Sequence, residues 1–387
     1  MRFSEIKGHE EIKERFIRSV LDNRVSHAQL FIGSEGNGKL AMSLAYAQYI
    51  NCTNKQYFEQ PAPLSSDSCG ECPSCKKYEK LIHPDLHFVF PVVNTPKFKD
   101  PVSDNFLSEW REFLIKRYYR DLNSWLDFIG ADNSQASIFT QESKEIIRKL
   151  NLKTYEAEYK VMVIWLPEKM NISASNKLLK ILEEPPPKTL FLLVSEDEGK
   201  IIRTILSRTQ ITKIPKFKHE NILELVTHEN PNSLDSDELD YIVRLANGNA
   251  VKALELSNNS VNNSENFDNF TSLMRLSYSA NIIELMNWAE TISKLGREKQ
   301  KNFLEYALRM VRENLMMNVA PDEKNIVYLD KKESEFSKKF YPFITAPKTI
   351  KLNQELNKAF MHITRNVSAK LVFLDMALQL TIIIKSK

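Results

Sequence analysis

The sequence predicts an α/β domain with a parallel sheet flanked by helices, followed by helical segments up to the C-terminus. Short apolar runs alternate with amphipathic segments between residues 28 and 194, as in a parallel sheet with helices on both faces. A glycine-rich loop at residues 33–40 lies between an apolar run and a helical segment, which is the setting of a phosphate-binding loop. Strand-like runs stop near Pro215, so the remaining chain is predicted to be helical.

The individual elements follow from periodicity and from residues that end helices. Residues 160–165 and 189–194 are nearly continuous apolar runs, as expected for strands buried on both faces. Three consecutive prolines at 185–187 end the helix before them, because proline cannot continue a helix. The predicted strands are 29–32, 86–93, 160–165 and 189–194, and the predicted helices are 5–26, 40–50, 142–152 and 173–184.

Composition limits the class of protein. The chain has 387 residues, of which 42% are hydrophobic and 27% charged, so we expect a globular protein of two or three domains. A net charge of +3 is too small to indicate nucleic-acid binding by itself. No run of 18 apolar residues and no signal-peptide core occurs in the sequence, so we expect a cytoplasmic location.

The domain organisation is predicted in three parts. Residues 1–215 form the α/β module, with a polar insertion at about 94–137 that has helical pieces around 104–128. Residues 216–258 form a small helical lid, and the polar run 257–265 is interpreted as a linker. Residues 266–387 form a helical domain, in which Leu304, Leu308, Val311 and Leu315 share one face and are expected in its core.

All four cysteines lie between residues 52 and 75. Cys69, Cys72 and Cys75 are separated by two residues each, and Cys52 lies upstream. Four thiolates at this spacing are typical of a closed, tetrahedral structural Zn²⁺ site, since disulfides are rare in proteins that are not secreted. A set of free thiols on a loop is the alternative.

The glycine-rich loop departs from the phosphate-binding pattern at its last position. Residues 33–40 fit G-x-x-x-x-G-K, but Leu40 replaces the hydroxyl residue that helps to hold Mg²⁺. Gly33, Gly38 and Lys39 are therefore candidate phosphate contacts with reduced capacity for turnover. Weak phosphate binding by Lys39 and a purely surface role for this lysine are both open.

These motifs together resemble the bacterial DNA polymerase III clamp-loader subunits of the AAA+ class. The matching stretches are 27–31, the cysteine segment, 83–86, 176–186, 205–209 and, less specifically, 365–371. The resemblance implies an AAA+ α/β module, a small helical lid and an all-α collar-type oligomerisation domain. It also implies partners: ATPase subunits of the gamma/tau type, a delta-type subunit, the sliding clamp indirectly, and primed DNA through the complex.

Several residues depart from the ATPase members of that family. The strand before the helix 173–184 ends there in an Asp-Glu pair, whereas Trp165 and Leu166 occupy these positions here. Val251 replaces the arginine of the second sensor segment, and Ser195 lies near the first sensor, where it could still donate a hydrogen bond. With Leu40, these changes predict a subunit that does not hydrolyse ATP and whose binding of ATP is doubtful.

Arg208 matches the arginine finger that AAA+ subunits insert into a neighbour's ATP site. Such a guanidinium stabilises charge on the transferred phosphoryl group. Arg203 is a nearby alternative with weaker motif support, and an ordinary exposed arginine is the non-catalytic interpretation.

Three functional hypotheses follow. The leading one is a non-hydrolysing clamp-loader subunit that lends Arg208 to an adjacent ATPase. The second is an independently active ATPase of the gamma/tau type, in which Glu168 substitutes for the missing acidic residue. The third is a module whose cysteine segment contacts nucleic acid, although Lys76 and Lys77 at its edge give little support.

Overall fold

A computed structural model describes residues 1–59, 63–131, 134–229, 236–258, 260–320 and 327–385. The chain forms two units. One consists of Met1–Glu229 and Ala246–Leu254, and the other consists of Asn230–Leu245 and Glu255–Lys387. The three-part division at residues 215 and 258 stays a prediction.

The first unit is built on a five-stranded parallel sheet. Its strands and those of a small antiparallel hairpin are β1 (Ala28–Ile32), β2 (Gln56–Tyr57), β3 (Ser66–Asp67), β4 (Leu86–Val89), β5 (Lys160–Trp165), β6 (Thr189–Ser195) and β7 (Gln210–Lys213). The order in the sheet is β4-β5-β6-β1-β7, and β2 pairs with β3. The four predicted strands are confirmed, whereas the edge strand β7 was not predicted because its residues Gln210–Lys213 are mostly polar and exposed.

Helices cover the sheet and form the insertion. They are α1 (Glu10–Leu21), α2 (Lys39–Ile50), α3 (Pro73–Glu79), α4 (Leu107–Lys116), α5 (Leu122–Phe128), α6 (Thr140–Asn151), α7 (Ile172–Glu183), α8 (Arg203–Leu206) and α9 (His219–Glu229). The helix predicted at 5–26 is shorter at both ends. Gly8, His9 and Asn23 adopt positive φ, which a helix does not accommodate. The structure thus confirms the predicted fold class, an α/β module followed by helices.

The remaining helices are α10 (Ser236–Ala246), α11 (Ala250–Asn258), α12 (Ser260–Ser279), α13 (Ile282–Ser293), α14 (Arg297–Val319), α15 (Lys331–Phe340), α16 (Ala346–Thr364) and α17 (Ala369–Lys385). The linker predicted at 257–265 is wrong, because α11 and α12 extend into it. The run contains no glycine or proline, and serine and asparagine each cost a helix only about 0.5–0.7 kcal/mol. Leu304 and Val311 are buried in the core of the second unit, as predicted, with Leu308 and Leu315 packed against it.

No helix among the described residues is long and apolar enough to cross a membrane.

Candidate functional site

The glycine-rich loop connects β1 to α2 at the carboxyl edge of the sheet. The backbone N–H of Gly33 donates to the carbonyl of Ser195 at 3.3 Å, so the loop starts where β1 and β6 end together. Lys39 is the first residue of α2. In open α/β sheets this edge, beyond the carboxyl ends of neighbouring strands, is where ligands bind. Gly33, Gly38, Lys39 and Ser195 thus lie at one place, as the sequence predicts for a nucleotide-type site.

The ammonium group of Lys39 has partners within the protein. Its Nζ donates to the carbonyl of Ser34 at 3.1 Å and lies 3.5 Å from Oε1 of Glu196. Only 6% of its side chain is exposed. Burial lowers the pKa of Lys39 and raises the pKa of Glu196, and the two charges oppose both shifts. The ammonium group therefore already has an anionic partner where a phosphate-binding lysine would have a phosphate.

Glu168 lies on the same side. Its Oε1 accepts a hydrogen bond from the backbone N–H of Glu196 at 2.9 Å, and its charge favours the protonated form of Lys39. Its Oε2 is buried and has no hydrogen-bond partner among the described residues. The side chain thus extends past the turn after Pro167 to the backbone of Glu196, and the lysine on that side is already paired with the Glu196 carboxylate.

Aromatic rings cover the loop. Gly38 has φ +83°, and a Cβ on it would lie 2.7 Å from Cζ of Phe217. The ring of Tyr119, which belongs to the insertion, meets that of Phe217 edge-on with centroids 5.7 Å apart. The remaining cavity has a volume of about 10 Å³, room for about one water molecule. It is lined by Gly36, Gly38, Lys39, Leu40, Tyr118, Tyr119, Arg120 and Trp165.

The segment that resembles the second sensor lies directly on the loop. The backbone N–H of Ala250 donates to the carbonyl of Gly36 at 2.9 Å, and Nδ2 of Asn249 donates to Oε1 of Glu35 at 3.1 Å. A Cβ on Gly36, which has φ +68°, would lie 1.8 Å from Oδ1 of Asn249. Val251 is buried. This segment and the loop are therefore in direct contact, with no space for a phosphate between Gly36 and Asn249.

Aromatic packing occupies the place of the acidic pair. Trp165 and Leu166 are each 1% exposed. The Trp165 ring lies 5.0 Å from that of Trp110 on α4, and Trp110 stacks on Phe90 at 4.2 Å. Leu166 adopts φ +54° and donates its N–H to the carbonyl of Val194 at 2.8 Å. The end of β5 therefore anchors the insertion.

Ser195 and Leu40 complete the loop's surroundings. Ser195 is buried, and its Oγ accepts from the N–H of Asp197 at 3.3 Å. Leu40 is buried at the start of α2. Sequence reasoning missed the covering residues Tyr119, Phe217 and Glu196. It placed Asn249 in the segment that resembles the second sensor but did not predict its contact with the loop. The adjacent tyrosines at 118 and 119 and the acid directly after Ser195 were the available signals.

Arg208 lies in the short connection between α8 and β7. Its Nη1 donates to the carbonyl of Thr204 at 3.0 Å and to Oγ of Ser207 at 3.2 Å. Its Nη2 lies 2.5 Å from Oε1 of Glu183, and 34% of the side chain is exposed. Arg203 is also exposed. The Arg208 guanidinium thus has weak, solvent-accessible partners that a stronger anion can replace.

The four cysteines converge. Their Sγ atoms all lie within 4.8 Å of one another, with Cys52 to Cys69 at 3.7 Å and Cys69 to Cys75 at 3.9 Å. A tetrahedron with Zn–S bonds of about 2.3 Å has S–S edges of about 3.8 Å. All four are free of disulfide bonds. The geometry therefore fits a four-thiolate metal site.

Backbone and thiol contacts prepare this cluster for a cation. The N–H groups of Cys72 and Glu71 point at Sγ of Cys69, at 3.3 and 3.4 Å, as in a turn that stabilises a thiolate. The hydrogen bond from Cys75 lowers the pKa of the Cys52 thiol, and the same contact raises the pKa of Cys75. Without a cation, four thiolates so close together could not all be charged.

Comparisons with known proteins place the chain in a family. The model described as "DNA polymerase III, delta subunit" matches residues 8–218, more than half of the chain. The chain belongs to this family. Its matched region runs from the residue before His9 to the residue after Phe217, so it includes the closed loop, the cysteine cluster and Arg208.

Individual relatives include several subunit types. The chain is 26% identical over 244 residues to the delta' subunit of Bacillus subtilis, covering 62% of this chain and 56% of that protein. It is 26% identical over 258 residues to the B. subtilis tau subunit, covering 66% of this chain and 37% of that protein. It is 24% identical over 354 residues to the gamma subunit of Buchnera aphidicola, covering 87% of this chain and 83% of that protein.

A solved structure also matches along most of the chain. It is the DNA polymerase III gamma subunit-related protein of Thermotoga maritima, which is 13% identical, with a TM-score of 0.39. The match covers 97% of this chain and 100% of that chain. The fold assignment rests instead on the parallel strand order and on the position of the glycine-rich loop after β1.

Proposed function

We propose that this protein is a delta'-type subunit of a DNA polymerase III clamp loader. It does not hydrolyse ATP itself, and it supplies Arg208 to the ATP site of a neighbouring gamma/tau-type subunit. In the assembled complex, with a delta-type subunit, it would help to place the sliding clamp on primed DNA in the cytoplasm. The single observation that carries the proposal is the contrast between a filled phosphate loop and an accessible arginine on the same module.

Three features support the absence of hydrolysis. The cavity at the loop has about 10 Å³, too little for a triphosphate. Lys39 is paired with Glu196, so an entering phosphate would meet a carboxylate. Trp165 and Leu166 offer neither a Mg²⁺ ligand nor a base for water. These features favour the delta'-type assignment over the gamma/tau type, although the relatives include both.

A second candidate function is the independent ATPase that uses Glu168. The observation in its favour is that Oε2 of Glu168, on the side of Lys39, is buried and has no hydrogen-bond partner in the part of the chain that the structure describes. The isolated protein should decide between the two, with a fluorescent ATP analogue and Mg²⁺ as the probe. We expect no saturable binding at millimolar nucleotide and ATP turnover at background. Turnover that is abolished by Glu168→Gln would favour the second candidate.

The leading function is tested by Arg208→Ala in a reconstituted complex with ATPase subunits, clamp and primed DNA. A finger supplied in trans contributes about 10³–10⁵ in rate at the site it serves. We expect normal assembly, a partial fall in total ATPase because other sites remain, and a larger fall in clamp loading. Arg203→Ala is the matched control and should leave both rates unchanged. Wild-type loading by the Arg208→Ala complex would refute the trans role.

For the cysteine cluster we propose a structural Zn²⁺ held by Cys52, Cys69, Cys72 and Cys75. Zinc would supply the positive charge that lets four thiolates coexist, and its binding free energy would stabilise the segment between α2 and α3. Elemental analysis of protein purified without added metal should give one zinc per chain. Cys72→Ala should lower both zinc content and thermal stability. Four freely titratable thiols without metal would contradict the proposal.

A further inference from the structure

Glu183 makes a contact with Arg208 that the proposed function does not yet use. It is the last residue of α7, and its Oε1 lies 2.5 Å from Nη2 of Arg208. The other terminal nitrogen, Nη1, donates to Thr204 and Ser207 on and after α8. The two ends of the guanidinium are therefore tied to two different helices, which fixes the orientation of its plane.

The position of Glu183 is unfavourable for a carboxylate unless a cation compensates it. The C-terminal end of a helix carries partial negative charge, so an acidic side chain there is repelled by the backbone. Three prolines follow at 185–187, so the helix cannot extend past this point and the residue stays at the end. Arg208 supplies the compensating charge.

The ion pair is exposed on both sides. About half of the Glu183 side chain is exposed (47%), along with a third of Arg208. Exposed pairs are weak because water screens them. A phosphoryl group that carries more than one negative charge can therefore replace Glu183 at the guanidinium. The contact with Glu183 therefore restricts the conformations of the Arg208 side chain without preventing a phosphoryl group from binding to its guanidinium.

We propose that Glu183 is a positioning residue for Arg208. It holds the guanidinium in a single orientation on the module surface until the nucleotide of a neighbouring subunit takes over the contact. This inference rests on the proposed trans role of Arg208. It adds that Glu183, at the end of α7, orients the guanidinium. Glu183 does not touch the nucleotide in this proposal.

The test is Glu183→Gln in the reconstituted complex, with Glu184→Gln as the matched control on the next residue. Glutamine keeps the shape and removes the charge. We expect a two- to fivefold lower kcat for clamp- and DNA-stimulated ATPase, the range that a weak exposed pair allows. The KM for ATP should not change, because the finger acts on the transition state. Glu184→Gln should match wild type, as should urea unfolding of the isolated Glu183→Gln chain.

A double mutant separates positioning from a general structural effect. In an Arg208→Ala complex, adding Glu183→Gln should cause no further loss, because the residue acts only through the arginine. An equal loss in both backgrounds, a raised KM, or an unchanged kcat with Arg208 present would overturn the proposal. If Arg208→Ala itself has no effect, the proposed function fails; if only Glu183→Gln has none, the positioning role alone fails.

Discussion

Lys39 and Arg208 are two basic residues in stretches that resemble phosphate-handling motifs, and they differ in how accessible their charged groups are to solvent. Lys39 is 6% exposed and is bound to Ser34 and Glu196, whereas Arg208 is 34% exposed and has a solvent-accessible partner. The motif around Lys39 keeps its glycines and its lysine, and yet its space is filled. Retention of a motif residue therefore does not establish retention of its role. The surroundings of the charged group decide whether a phosphate can reach it.

The insertion accounts for much of this difference. Tyr119 covers the loop from one side, and Trp110 packs against Trp165 where an acidic pair would stand. Apolar burial at this position stabilises the module, and a carboxylate there would be buried without a partner. The residues on which the proposed absence of hydrolysis rests thus also contribute to folding. Nothing comparable covers Arg208 within the described part of this unit.

The largest expected effect comes from restoring an acid at the end of β5. Trp165→Asp should lose the aromatic packing, about 3–5 kcal/mol, and leave a carboxylate buried beside Trp110 and Phe90. We expect little or no folded protein, measured by soluble yield and by urea unfolding. Trp165→Phe is the control and should cost about 1–2 kcal/mol. A folded Trp165→Asp protein whose free energy of unfolding is within about 2 kcal/mol of wild type would contradict this prediction. It would mean that the packing around residue 165 can accommodate a carboxylate.

The second prediction compares the two cations directly. Lys39→Ala should lower the free energy of unfolding by about 3 kcal/mol, because Glu196 and Glu168 lose the buried charge that they face. Arg208→Ala should change it by less than about 0.5 kcal/mol, as expected for an exposed ion pair. Chemical denaturation of both variants provides the measurement. Equal losses would show that Arg208 is as structural as Lys39 and would weaken its assignment as a finger.

The fold was largely predictable because its strands carry strong local patterns. The strands 160–165 and 189–195 are buried along their whole length, so apolar runs identify them. β7 is an edge strand with one buried residue, Thr212, and has no comparable pattern. The helices at 250–258 and 260–279 extend into the predicted linker, since serine and asparagine are common in linkers but are only mildly unfavourable in a helix.

The sequence predicted which residues are candidates for the site. It did not predict whether a ligand could reach them. Spacing along the chain predicts the positions of Lys39 and the four cysteines, whereas Ser195 and Arg208 were predicted from the resemblance to the clamp-loader family. The cover over the loop depends on side chains from residues 119, 217 and 249, which are distant from it in sequence. Residues 119 and 217 belong to no motif, and the motif that contains residue 249 does not predict its contact with the loop. Glu183 was part of a motif stretch, but its contact with Arg208 depends on how α7 and α8 meet.

Glu142 on α6 connects the insertion to the sheet-covering helices. Its side chain is 1% exposed, and its Oε2 accepts from the backbone N–H and Oγ of Ser103 at 2.6 and 2.9 Å. Ser103 lies in the insertion, and its Oγ also contacts the backbone of Phe90. Burial raises the pKa of Glu142 to about 7, even though both Ser103 contacts favour the ionised form.

The last prediction tests this anchor through pH. The raised folded-state pKa means that the folded protein holds this proton between about pH 4.3, the ordinary value for glutamate, and pH 7. The associated stability is complete below that window and is lost as pH rises through it. Glu142→Gln cannot titrate, so its stability relative to wild type should rise by about 3 kcal/mol between pH 4 and pH 8.

Urea unfolding of wild type and Glu142→Gln across that pH range measures this change. The Arg208-dependent clamp loading at pH 8 should be equal in the two proteins. Ser103→Ala is the companion variant. It removes a hydroxyl that favours the carboxylate, so it should raise the pKa of Glu142 further and move the window to higher pH. A difference between Glu142→Gln and wild type that does not vary with pH would mean that the carboxyl is not buried in the folded protein. The insertion would then be less firmly anchored than its cover over Lys39 requires, while the accessible side of the module at Arg208 would be unaffected.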